Sequence, residues 1–348
     1  MKKALLLSCC LGLACMAFAQ DEKTVEESLK VAGGGTFGKA KILKDLDRIA
    51  IAQSTIYFKT ATTREVYENE RGAFGRRKQD GGAVAGTVTA YLDLTDGEMT
   101  ENEYQELADG FYSYLVQKLA DSKISAVPWD QISSHEFYTE DGQDVKDVTK
   151  DADAMKRKGQ LYRQLNANKG NTLLKNSSTG GMNIGFAFGK MKRAGNYAKD
   201  LDAPLALLHL TVDFADIFLD GEVATGSGTE YQAGGMTKIT KTKKWKMDAH
   251  VGANVKIAGN VGYSTLYNEK MASETMTLLR DLNSEVPFAS SVQEDPNMEK
   301  LRARDNIFAK DFNMNPVVIS TTKEKYKAAA KKALQNYADL FVLKIRYS

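Results

Sequence analysis

Cysteine is confined to positions 9, 10 and 15 of the 348 residues, histidine occurs three times and proline five times. If the first 19 residues are a removable leader, no disulfide, thiolate nucleophile or cysteine-ligated metal remains in the mature chain. His135, His209 and His250 are far apart, and His135-Glu136 is not followed by a second histidine at the spacing of a zinc-protease helix. No G-x-S-x-G elbow is present for a hydrolase. Beyond the N-terminus no apolar run approaches the ~20 residues of a membrane-spanning helix. Charge of one sign is lacking too. Lys+Arg total 47 against 45 Asp+Glu, and loss of Lys2 and Lys3 would bring the balance to zero, so no global attraction to nucleic acid or anionic lipid is expected.

What is present begins with Lys2-Lys3, an apolar core from Ala4 to Phe18, and Ala17-Phe18-Ala19 as an A-x-A site, the pattern of a secretory signal peptide cut before Gln20. A lipobox reading at Leu6-Leu7-Ser8-Cys9 leaves only about five apolar residues ahead of the cysteine, so cleavage without lipidation is expected. An exported chain without disulfides suits the periplasm or outer-membrane periphery of a Gram-negative bacterium.

Residues 20–43 read as a flexible linker. Gly33-Gly34-Gly35 and Gly38-Lys39 imitate a phosphate loop, but Ala40 stands where Ser or Thr is required and no strand precedes it. Residues 44–348 read as one domain with long loops at 60–86 and 270–315. Arg48 to Lys59 is the first strand. The loop after it carries Arg64, Arg71, Arg76, Arg77 and Lys78 among five glycines, and loops of this length are usually functional or mobile. Val84 to Leu94 alternates as a second strand. Thr100 and Glu103 form a capping box ahead of Tyr104, Leu107, Ala108, Phe111, Leu115 and Leu119, which recur at helical steps. A short strand, Ile124 to Val127, ends at Pro128. The acidic stretch 139–153 lacks the glycine turn and closing glutamate of a calcium loop. Ala154 to Asn168, with Leu161 and Leu165 on one stripe, predicts a helix.

Leu201 to Phe214 is the longest concentrated apolar run after the leader and is the expected central strand. Ala206, Leu208, Leu210, Val212 and Phe214 share one face, and Leu205, Leu207, His209, Thr211 and Asp213 share the other. His209, Thr211 and Asp213 could form an acid–base site, although a helix-covered polar network is the commoner outcome. Asp220-Gly221 is a turn signal. Gly226 to Gly262 reads as a glycine- and lysine-rich β-hairpin insertion in which Lys238, Lys241, Lys243, Lys244 and Lys246 surround Trp245. Such a pattern could follow an anionic strand or surface, but lysine also protects sheet edges. His250 to Ala258 and Asn260 to Tyr267 read as a strand pair. Thr321 and Glu324 suggest a second capping box before Tyr326, Ala330, Ala333, Leu334 and Tyr337, with Leu340 to Tyr347 as a closing strand.

The order of these elements resembles a known module. RIAIAQSTIYF, the helix ENEYQELADGFYSYLVQKLADS, ISAVPWDQI, AKDLDAPLALLHLTV and the lysine- and alanine-rich terminal helix are similar to the αβα module shared by the amino-terminal domain of TolB and the CsgG curli-channel family. Pro204 and Leu205 stand where that pattern carries an aspartate or aromatic, and His209 and Leu210 where its glycine would sit. The resemblance implies an α/β fold with a mixed β-sheet flanked by helices on both faces. It also implies a non-enzymatic envelope protein acting as scaffold or assembly partner, without cofactors. Its partners would be other envelope proteins or further copies of itself, with no nucleic acid and with membrane contact not involving a transmembrane helix. A pore-forming channel subunit is the alternative, against which the lysines of 226–262 count. A hydrolase or ligand-binding enzyme using the His209 face is the other. The interaction candidates are Arg71, Arg76, Arg77, Lys78, Lys238, Lys241, Lys243, Lys244, Trp245 and Lys246.

Overall fold

The computed structural model describes residues 25–34, 41–44, 46–69, 82–136, 138, 159–171, 173, 184–231, 237–301 and 309–348. The strands are β1 (Leu29–Gly34), β2 (Arg48–Asn69), β3 (Ala83–Leu94), β4 (Ser125–Ala126), β5 (Gln160–Asn166), β6 (Leu205–Tyr231), β7 (Thr237–Ile257), β8 (Tyr263–Tyr267), β9 (Ser273–Leu278), β10 (Leu282–Asn283), β11 (Ser291–Glu294), β12 (Lys310–Asn313) and β13 (Val317–Thr321). The α-helices used below are α1 (Glu101–Asp121), α2 (Trp129–Ser133), α3 (Ile184–Asp200) and α4 (Lys323–Arg346).

These strands make one mixed sheet whose main path runs β1-β9-β8-β6-β2-β3-β13-β11. The centre is β6 beside β2, parallel from Ala50↔Leu205 to Phe58↔Val212. Ala206, Leu208, Leu210, Val212 and Phe214 are fully buried, as their alternation predicts, and join the main core with α1 and α4. In α1 the Thr100 hydroxyl accepts from the Glu103 N–H, and the Glu103 carboxylate accepts from the Thr100 N–H at 2.8 Å. That exchange satisfies two donors at the helix start, and the Tyr104 to Leu119 stripe turns into the core.

The expected αβα sandwich is not formed. The described residues form a strand-dominated, 13-stranded mixed sheet, and α1 and α4 cover one face. On the other face α2 and α3 contribute to a smaller cluster around Ala50, Ala52, Leu205 and Leu207 at the beginnings of the central strands, and Trp129 of α2 also touches the main core. Several local expectations fail for the same reason, namely that strand pairing prevails. The segment expected as a helix from 154 to 168 holds β5, paired antiparallel to β2 from Thr55↔Asn166 to Thr62↔Gln160, and then a short 3-10 turn. Gly159, at φ 66°, interrupts any helical run into it, and a Cβ there would lie 2.8 Å from Thr63 Cβ. Asn166 at the end of β5 is tied in by the Thr55 hydroxyl (2.6 Å), while Gln53 donates to Thr55 and accepts from the Leu173 N–H, so these two polar side chains of β2 are satisfied inside, whereas the buried Ser54 hydroxyl between them has no partner among the described residues.

The closing strand expected over Leu340 to Tyr347 is the last part of α4, because Leu340, Phe341, Val342 and Ile345 continue the buried side of that helix. Its cap lies one residue later than expected: Thr322 accepts from the Lys325 N–H, while Thr321 ends β13 and donates to the Phe288 carbonyl. The segment expected as a linker contains β1, an edge strand antiparallel to β9, and Glu274 accepts from the Ile42 and Leu43 N–H groups just beyond it. The two segments expected as loops are narrower than they seemed. β2 and β3 extend into 60–86, and β9 to β12 lie within 270–315. The acidic stretch 139–153 lies outside the described residues.

Candidate functional site

Two long hairpins, β2–β3 and β6–β7, run from the main core to a second, smaller one. β6 pairs with β7 from Val212↔Ile257 to Tyr231↔Thr237, straight through Asp220 and Gly221. The expected Asp-Gly turn is therefore absent. A Cβ at Gly221 would sit 2.9 Å from Val84 Cγ1 and 3.1 Å from Met247 Cε, so this glycine allows β3 to approach the hairpin. Val88, Leu219 and Val317 form a second small core there, with Val66, Ile217, Met247 and Val251 packed around it.

Strand alternation sorts the rest. Ile217, Leu219 and Val223 turn toward this core, and Asp216, Phe218, Asp220 and Glu222 lie on the opposite face. On β7 their neighbours on that face are Lys246, Asp248 and His250. Lys246 donates to Asp248 at 2.5 Å, and this bond raises its ammonium pKa above the ordinary lysine value. Phe218 is 58% exposed on the charged face, an apolar group without cover from the described residues around it.

Of the sequence-predicted interaction residues, Arg71, Arg76, Arg77 and Lys78 lie outside the described residues. Lys238 and Lys241 belong to β7, opposite Glu230 and Ser227. Lys243, Lys244, Trp245 and Lys246 are exposed on β7, with Lys244 and Lys246 on the charged face and Lys243 and Trp245 on the side turned toward β3. A Cβ at Gly82, just ahead of β3, would be 3.3 Å from both Lys243 Cδ and Trp245 Nε1, so the start of β3 lies against this part of β7. This meeting of the two hairpins was missed in the sequence. The signal was there in the alternation of Ile217, Leu219 and Val223 with Asp216, Asp220 and Glu222.

The His209 face is arranged structurally. Asp213 takes the Lys59 ammonium at 2.6 Å and also accepts from the Phe214 N–H, and His209 stacks on Tyr263 with ring centroids 4.7 Å apart. Beside it Lys256 bridges Asp216 and Asp281. Among the described residues no group of three His, Cys, Asp or Glu could hold a metal ion, and no helix is long and apolar enough to cross a membrane. No protein-family model, curated protein or solved structure matches the chain.

Proposed function

We propose that the protein is an exported, non-enzymatic component of the cell envelope that works by assembly, as a scaffold or partner at the periplasmic side of the outer membrane. The observation that carries this is the β6–β7 hairpin, whose inner face is occupied by β3 while its outer face presents Phe218, Glu222, Lys244 and Lys246 to solvent. A charged row with an apolar residue at its centre suits protein contact, where charges select the partner and the apolar group adds burial. The Asp213 carboxylate is committed to Lys59 and the backbone, and the His209 ring is stacked on Tyr263. Crosslinking in envelope fractions of the native host tests the proposal. The wild type should yield a discrete crosslinked species, and Lys244→Glu with Lys246→Glu should lose it at an unchanged thermal midpoint, since exposed charges contribute little to stability. A crosslinked species that survives this reversal refutes the proposal.

A second reading, a pore-forming channel subunit, is favoured by one observation: each chain carries two hairpins whose strands exceed the ~9–11 residues that cross a bilayer. Lys243 on the inner row beside Trp245 counts against a lipid-facing row there. Dye release from vesicles by the mature protein would establish the pore, and intact vesicles at concentrations where crosslinking is complete would exclude it.

A further inference from the structure

A cavity of about 300 Å³ opens between the end of β3, the start of β5 and the first turn of α1. It lies at Thr60, the residue that β2 skips in its pairing with β5 between Lys59 and Ala61. Its apolar lining comes from Leu161, Met99 and their neighbours. Its charged groups are Arg163 from β5 and Asp93 and Glu98 from β3 and the loop after it. Asp93 accepts from the Ser320 hydroxyl at 3.0 Å. Among the described residues no ion pair joins Arg163 to Glu98 or Asp93. The buried Tyr104 hydroxyl lies within the influence of both signs. Burial pushes its pKa up to about 12, with Arg163 acting to lower it and Glu98 to raise it.

Opposite charges that face one cavity without pairing each other are complementary to a ligand carrying both signs. Arg163 offers a fork of donors that fits a carboxylate, Glu98 and Asp93 can accept from an ammonium, and the apolar wall can take a short hydrocarbon chain. Small-molecule sites of ~300–1,000 Å³ have this composition, mostly apolar with a few convergent polar groups, and this cavity is at the small end. We propose that it binds a free α-amino acid with an apolar side chain, its carboxylate on Arg163 and its ammonium between Glu98 and Asp93. None of the lining residues belongs to β6 or β7, and the proposal does not depend on how the surface of that hairpin is used.

Isothermal titration of the mature protein with L-leucine tests it, with N-acetyl-L-leucine and L-leucinamide each removing one charge from the ligand. L-leucine should give saturable binding, and both blocked compounds should bind at least about tenfold more weakly. Arg163→Gln and Glu98→Gln should each weaken L-leucine by at least about tenfold. Both side chains are exposed at the cavity rim, so the variants should keep the wild-type thermal midpoint without ligand. No binding of L-leucine or L-methionine at roughly 10 mM would overturn the proposal. So would equal binding of N-acetyl-L-leucine, or binding by the folded variants within about twofold of wild type.

Discussion

Leu115→Ala measures whether α1 is fastened to the sheet as described. Leu115 lies in the middle of the 21-residue helix, is fully buried, and shares the main core with Leu119, Phe58 and Tyr337. Truncation to a methyl forfeits roughly 2 kcal/mol of transfer free energy at ~0.8 kcal/mol per buried CH₂. A cavity term is added wherever the surroundings cannot close. Here the sheet is on one side and α4 packs alongside, so collapse is restricted and the total should be about 3–5 kcal/mol, the upper part of the range for buried leucines. Urea unfolding followed by circular dichroism should show the midpoint falling with an unchanged slope. Gln117→Ala, on the exposed side of the same helix, is the control and should stay within about 0.5 kcal/mol of wild type. Equal midpoints for the two variants would refute the packing and move the Tyr104 to Leu119 stripe to the surface.

Thr100→Ala removes the acceptor for the Glu103 N–H and should cost about 1 kcal/mol in the same assay, whereas Thr100→Ser should recover most of it. Gly259→Ala should destabilise by roughly 1–3 kcal/mol, because its Cβ would stand 2.5 Å from the Arg280 carbonyl carbon, a backbone atom that cannot swing aside. At Asp281 burial opposes ionisation, but the Lys256 ammonium and the Gly259 N–H outweigh it and hold the carboxyl below the ordinary 3.8. A depressed carboxylate contributes stability that is present above its unfolded pKa and is lost as the pH falls through its folded one. The urea midpoint should therefore drop below about pH 4, and Asp281→Asn should lessen that drop while lowering stability at neutral pH. Burial works against the Lys256 charge, but its bonds to Asp216 and Asp281 prevail and raise its pKa. Its contribution is therefore present below 10.5 and lost as the pH rises through the folded value, so a midpoint flat above pH 10.5 would contradict the network.

Where an element's identity depends on its own residues, the sequence alone was sufficient. The Thr100–Glu103 exchange joins groups three positions apart, and the stripe that follows repeats with the helix's own period, so α1 could be read with its cap and its buried side. The buried row Ala206 to Phe214 follows likewise from the two-residue period of a strand. The basic stretch of β7 was visible as composition, but which lysines share a face was not, because that follows from its register with β6. Tertiary structure decided the segments whose local pattern admits two states. Leu161 and Leu165 fit a helix by spacing, yet the free edge of β2 from Thr55 to Thr62 offers ladder bonds and Gly159 interrupts the helical path, so the segment pairs as β5. Leu340 to Ile345 has strand-like residues, yet it stays helical because its apolar side extends the contact α4 already makes. Asp220-Gly221 carries turn chemistry, but the approach of Val84 and Met247 makes the glycine a place for contact rather than reversal. In each case the deciding hydrogen-bond partner or neighbouring atom comes from a distant part of the chain, and no local window of sequence contains it.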